Sequence, residues 1–375
     1  MPSRASARGS TRPQRPSQDA SAPNSLKNHD MTKLLTPPTL LTRILLATVM
    51  LAAVMLACSL LGTEHISLKK ALEPSHPGVV NPDYEIFFRV RGPRIILAAI
   101  VGAALACSGA VLQALLRNPL ADPYILGISS GAGLGAIIAI TIFSRLNWML
   151  WGRSPIAFFA FVGALATAGL VWTVARLTGK SQVTHLLLAG VVVNAFFSAM
   201  IMFLTSIANS SQVQRTIFWL MGNIIEEDPL VLWTSGGFVL AGIFALFFIS
   251  PQLNALSFSE VDAKAMGINT AATQTVAFVL AALITAVAVS LSGLVGFAGL
   301  IVPHGVRLVF GPDHRQLLPL SALIGAGFLV AADTLARIVV APAQLPVGVV
   351  TALIGGPFFL VLLVRYSRRI DWLAK

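Results

Sequence analysis

Ten stretches of this sequence are continuously apolar, and each approaches the roughly 20 residues of helix needed to cross a bilayer. They run 44–62, 95–116, 124–144, 155–176, 184–206, 229–250, 271–291, 293–310, 316–338 and 346–365. Backbone amides in hydrocarbon must bond within their own helix or within a closed barrel. A barrel would show short alternating strands, and these runs do not alternate. The expected class is therefore an all-α integral membrane protein with about ten transmembrane helices. Composition agrees: of 375 residues, 56% are hydrophobic and 11% charged, against about 25% charged in soluble domains.

Charge then sets the orientation. The formal net charge of +11 sits in particular segments, so the partner it implies is the lipid bilayer and no nucleic acid is expected. With an inside N-terminus, 17 of the 26 Lys and Arg fall inside and 9 outside, the bias of multi-pass proteins. Arg4, Arg8, Arg12, Arg15, Lys27, Lys33 and Arg43 precede the first run, and Arg365, Arg368, Arg369 and Lys375 follow the last. Both termini are expected in the cytoplasm. Five outer cations crowd into one loop, as Lys69, Lys70, Arg89, Arg91 and Arg94, a local breach of the rule that needs a reason. Trp148, Trp151, Trp219 and Trp233 lie near expected outer ends, and Trp172 and Trp372 near inner ones, as aromatic belts do.

Residues 1–38 are rich in Ser, Pro and Arg without apolar periodicity. They read as a disordered basic cytoplasmic tail, with Met31 as an alternative start. Residues 39–375 form one transmembrane domain. The polar stretch 207–228 is expected as an outer loop, partly buried around Phe218–Met221. Segment 251–269 reads PQLNALSFSEVDAKAMGIN. Ser259 with Asp262 three residues on resembles a capping box. Glu260 and Asp262 suit the positive end of a helix, and Gly267 suits its stop. A short helix over about 260–266 should lie outside the membrane on the inner side. Local features leave open an ordinary capped loop or a docking knob for a cytoplasmic partner.

Several motifs fail on context. Thr178-Gly179-Lys180-Ser181 ends like a phosphate-binding loop, but the required earlier glycine is Val174, inside a span. The chain should hold no nucleotide of its own. Gly127-Ile128-Ser129-Ser130-Gly131 matches a nucleophile elbow but lies at the start of a membrane helix. Continued to Gly135, it reads as a small-residue packing stripe. None of the six histidines pairs at metal-binding helical spacing, so no metal site is expected. Span middles hold almost no ionisable groups, where ion-coupled transporters commonly carry them. Asp333 and Arg337 lie four apart near an outer end, at ion-pair spacing. Gly293, Gly296, Gly299 and Pro303, then Gly355, Gly356 and Pro357, break the late spans. An enzyme would need convergent polar groups, and these are scattered.

Taken in order, RGPR (91–94), SGAVLQALLRNPLADPYILGISSGAG (108–133), HLLLAGVVVN (185–194), LSFSEVDAKAMGI (256–268), GLVGFAGLIVPHGVRLVFGPDHRQLLPLSALIGA (293–326), ADTLARI (332–338) and LPVGVVTALIGGPFF (345–359) resemble the membrane subunit of type II ABC importers. That family comprises permeases for iron–siderophores, haem and vitamin B12. The resemblance covers nearly all of 89–365. It implies the type II permease fold in the bacterial inner membrane, with no enzyme activity and no cofactor in this chain. ATP and magnesium would belong to separate cytoplasmic ATPase subunits. An extracytoplasmic binding protein would deliver cargo, and a second permease copy, the same or a different gene product, would complete the pathway.

The resemblance also assigns roles. Arg91, Arg94 and Arg337 match arginines that meet the binding protein. Asn118 and Leu120 match an inner gate loop, and Gly179 and Ser181 its counterpart. Ser259, Glu260, Val261, Asp262, Ala265, Met266 and Gly267 match the coupling helices that seat in the ATPase. The cargo expected first is a ferric siderophore, with cobalamin or haem as alternatives. A secondary transporter working without an ATPase is a distant alternative.

Overall fold

A computed structural model describes residues 36–74, 81–143, 154–177, 182–225 and 228–373, with the backbone alone for 182–183 and 365–373. The expectations for the tail up to residue 35, for Met31, and for Gly179 and Ser181 lie outside the described residues. Every regular element among the described residues is a helix, with no strand among them. Among the described residues, eight helices are long and apolar enough to span. They are α1 (Pro37–Leu60), the rod 82–115 that ends in α4 (Gly92–Leu115), α6 (Ile156–Leu177), α7 (Gln182–Ser206), α9 (Pro229–Phe248), α12 (Thr270–Ser292), α14 (His314–Ile338) and α15 (Val347–Leu373).

Two further apolar helices, α5 (Ile128–Thr141) and α13 (Ala298–Phe310), are shorter than the runs 124–144 and 293–310 foresaw. Each has lost its first turn to irregular backbone. Before α5, Asp122 caps a 3₁₀ turn over Pro123–Leu126, and Gly127 takes φ 77°. Before α13, Gly293 (φ 65°) ends α12, and Phe297 enters the helix at φ 67°. Non-helical backbone at membrane depth is tolerated where protein buries it, and Leu126 and Val295 are buried.

The connections hold more helix than the polar sequence suggested. α2 (Leu68–Ala71), α3 (Pro82–Tyr84) and a π-helical stretch Glu85–Arg91 precede α4, so the arginine-rich loop is largely helical. The expected outer loop 207–228 contains α8 (Ser210–Leu220), opened by a capping box between Asn209 and Gln212. That box, Asn209 with Gln212 three residues on, is a local signal of the helix. Within it Trp219 is half-buried, while Phe218 and Met221 are exposed. α10 (Ser250–Phe258) and α11 (Glu260–Ala265) follow α9.

α4 and α14 form the centre, and α12 and α13 also pack on α4. Their backbones touch because small residues meet: a Cβ on Gly102 would lie 2.2 Å from the Gly325 carbonyl oxygen. The glycine stripe divides in two. Gly131 and Gly135 press α5 onto α6, where a Cβ would come within 2.5 Å of the Gly163 and 2.0 Å of the Phe159 carbonyl oxygens. Gly127 is instead required by its left-handed φ, since a Cβ there would meet Thr167 only at an ordinary 3.4 Å.

Candidate functional site

The arginine cluster sits where α4 begins and α14 ends. Arg94 grips Asp333 through Nε and Nη2 at 2.9–3.2 Å and donates Nη1 to Gln344 Oε1 at 3.0 Å. Arg337, one helical turn beyond Asp333, donates Nε to the same carboxylate at 3.2 Å and Nη2 to Thr334. Asp333 is 1% exposed, so it lives by these contacts. Arg91 donates to the carbonyls of Ser59, Leu60 and Glu64 at 2.6–3.1 Å. The Ser59 and Leu60 carbonyls are among those orphaned where α1 ends. Two guanidiniums thus share one carboxylate, while Arg91 at the same end is spent on backbone carbonyls.

The expected ion pair Asp333–Arg337 is present, with Arg94 as a third member that spacing could not reveal. Arg91 and Arg337 are 5% and 7% exposed, and their donors are committed internally. The cations that stand out at this end are Arg89, paired with Glu85 and 74% exposed, and exposed Lys69 and Lys70.

The opposite end of α14 lies against α10, which leads into α11. α11 starts on Ser259, whose Oγ accepts from the Val261 and Asp262 amides. It stops in a Schellman turn: the Gly267 amide donates to Lys264, the Ile268 amide to Ala263, and Gly267 takes φ 80°. Ala263 anchors the helix, while Phe258, Val261 and Met266 are 82%, 75% and 62% exposed. Glu260 pairs with Lys264 along the helix; Asp262 and Ala265 face outward. Three large apolar side chains are thus left uncovered in a polar connection.

Beside it runs the loop after α4. Arg117 adopts φ 45° and donates Nε to the Leu256 carbonyl at 3.0 Å. Asn118 Oδ1 accepts from the Leu120 amide at 2.9 Å, folding the turn, and both residues are half-buried. Burial pushes the Asp122 carboxyl up to about 6, against the lowering effect of its bond from the Tyr124 amide. Burial would also raise Asp313, but bonds from Arg315 and Asn254 outweigh it and hold the group at about 2. Asn254 joins Asp313 and His314 to α10. Local sequence offered no signal for this or for Arg117, because the partners lie 60 and 139 positions away.

A core of close-packed spans, with a capped apolar knob at one end and a cation-rich face at the other, can now be set beside known proteins. Residues 48–365 match the FecCD transport family. The chain belongs to that family. It is 44% identical over 290 residues to the cobalamin import system permease protein BtuC of Halobacterium salinarum, covering 77% of this chain and 76% of the relative. It is 40% identical over 282 residues to the hemin transport system permease protein HmuU of Yersinia pestis, covering 75% and 84%. In structure it resembles a metal-chelate type ABC transporter in an inward-facing conformation. The TM-score is 0.73 with 33% identity over 88% of this chain and 99% of that one. This FecCD protein is thus a multi-pass permease subunit of an ABC importer with the type II fold, and it is not itself an enzyme.

Proposed function

We propose that this FecCD permease moves a metal chelate inward by alternating access, a ferric siderophore first and cobalamin or haem in the same class. The reading has it pair with a second permease copy in the cytoplasmic membrane, with both termini inside. It couples to cytoplasmic ATPase subunits that bind ATP and magnesium, and it receives cargo from an extracytoplasmic binding protein. The single observation that carries the reading is the opposed ends of α14. Its first turn is bonded to α10, which leads into the helix that leaves Val261 and Met266 uncovered, and its last turns hold the arginine cluster.

In this reading Phe258, Val261 and Met266 seat in the ATPase, with Ser259 and Gly267 fixing the helix that carries them. Asn118, Leu120, Gly179 and Ser181 belong to the inner gate. Arg91, Arg94 and Arg337 keep the outer face positive, while Lys69, Lys70 and Arg89 make first contact with an acidic binding protein. Such charges mainly steer and orient docking. The cobalamin alternative is supported by the 44% identity to the Halobacterium salinarum relative.

The test is reconstitution of the permease, ATPase and binding protein in proteoliposomes. Labelled ferric siderophore, cobalamin and haem are offered separately. Uphill uptake of one chelate that stops without ATP hydrolysis is expected. Uphill uptake by the permease alone, with no nucleotide, would overturn the reading in favour of a secondary transporter.

A further inference from the structure

The two central helices are tied to each other at one end, and both are tied to the coupling segment at the other. At the first end the tie is Arg94 of α4 on buried Asp333 of α14, through three contacts of 2.9–3.2 Å. Midway, the Gly102 and Gly325 backbones touch. At the second end, α10 is held twice just before it leads into α11. Asn254 donates Nδ2 to Asp313 at 2.8 Å, and its Oδ1 faces both the backbone N–H and Nδ1 of His314 at 2.8 Å. A backbone N–H can only donate, so the facing atom is the oxygen and His314 Nδ1 carries the proton. Arg117, just past α4, donates to the Leu256 carbonyl and lies 3.8 Å from Glu260 of α11.

Asp313 and Asp333 are separated by about 30 Å of continuous helix at 1.5 Å per residue. A hydrogen-bonded rod resists stretching, and each tie is a directional polar contact, where an apolar contact could slide.

We propose that α4 and α14 act as one closed frame that carries movement of the coupling helix to the arginine cluster, with Asn254 and Arg117 as its inner positioning residues and Asp333 as its outer one. Neither inner residue needs to touch cargo or nucleotide. They act by fixing where α10 and α11 stand relative to the two rods. The inference rests on the importer reading above and deepens it by naming the connection between its two partner sites.

The experiment uses the full complex in proteoliposomes and reads the ratio of binding-protein-stimulated to basal ATP hydrolysis, with subunit assembly measured alongside. Asn254→Ala should lower that ratio by about fivefold or more, the range of ordinary coupling energies, in a complex that still assembles. Arg117→Ala, at an exposed helix end, provides the second variant should Asn254→Ala fail to assemble. Arg117→Lys, which keeps the charge near Glu260 but loses the planar Nε donor, should recover only part of the ratio. The double variant Asn254→Ala with Asp333→Asn should be no worse than the poorer single, because a frame opened at either end no longer transmits. A ratio unchanged in Asn254→Ala and Arg117→Ala, or losses that simply add in the double, would overturn the frame and leave the importer reading intact. A wild-type complex whose hydrolysis ignores the binding protein would remove both.

Discussion

α4 and α7 are almost equally apolar, yet 78% of the most apolar stretch of the α4 rod is buried in protein against 17% of that of α7. Hydropathy cannot tell the two environments apart, because lipid tails are as apolar as leucine. Side-chain size can. α4 presents Ala98, Gly102, Ala106 and Ala110 at four-residue intervals, all buried, while α7 presents Val191, Val192, Phe196, Met202 and Phe203, all exposed. Small residues admit a neighbouring backbone, and bulky ones hold it off. The same contrast decides where charge can sit: Asp333 is tolerated at the centre because two arginines reach it.

The largest test of this contrast is Asp333→Ala. It leaves Arg337 buried and Arg94 half-buried without their carboxylate, a loss of about 3–5 kcal/mol for a broken buried pair. The detergent melting temperature should fall sharply. Val192→Ala on the exposed face of α7 should stay within about 0.5 kcal/mol. Similar shifts for the two variants would erase the distinction between core and periphery.

A smaller effect sharpens the point about size. Gly102→Ala adds one methyl group, yet that carbon would fall 2.2 Å from the Gly325 carbonyl. Overpacking of this kind costs about 1–3 kcal/mol. Gly237→Ala on α9, where nothing lies within 4 Å of the added carbon, is the matched control and should melt no lower than wild type.

The smallest effect is a dependence on pH. Asp122 has its carboxyl raised from 3.8 to about 6, so the folded chain holds that proton more tightly than the unfolded one. Its contribution is therefore complete below about pH 4 and declines as pH rises through about 6. Asp122→Asn should flatten the melting-temperature profile across that window. A profile that keeps its slope in the variant would assign the dependence to another group.

Much of the architecture was legible because it depends on neighbours in sequence. The apolar runs located the spans, and Ser259 and Gly267 bracketed α11 to within a residue, since caps are local chemistry. The Asp333–Arg337 pair followed from helical spacing. What the sequence hid depends on distant partners. Nothing around Arg91 foretells that it bonds Ser59 and Leu60 across 31 or more positions. The short α5 and α13 escaped for a related reason. Gly127 and Phe297 adopt left-handed backbone inside runs whose apolar character continues unbroken, so hydropathy counted their irregular turns as helix.

Arg91 also settles the fate of α1. Only 6% of that helix's most apolar stretch is covered by protein, and it rests mainly on α14. It is moored at both extremities: Arg91 holds the carbonyls of Ser59 and Leu60, and Arg43 bonds Gln316 and lies over the Phe310 ring. A segment fastened in this way needs no greasy seam to keep it from drifting off into the surrounding lipid. A protease nick in the exposed stretch 63–70 should therefore leave the severed helix aboard.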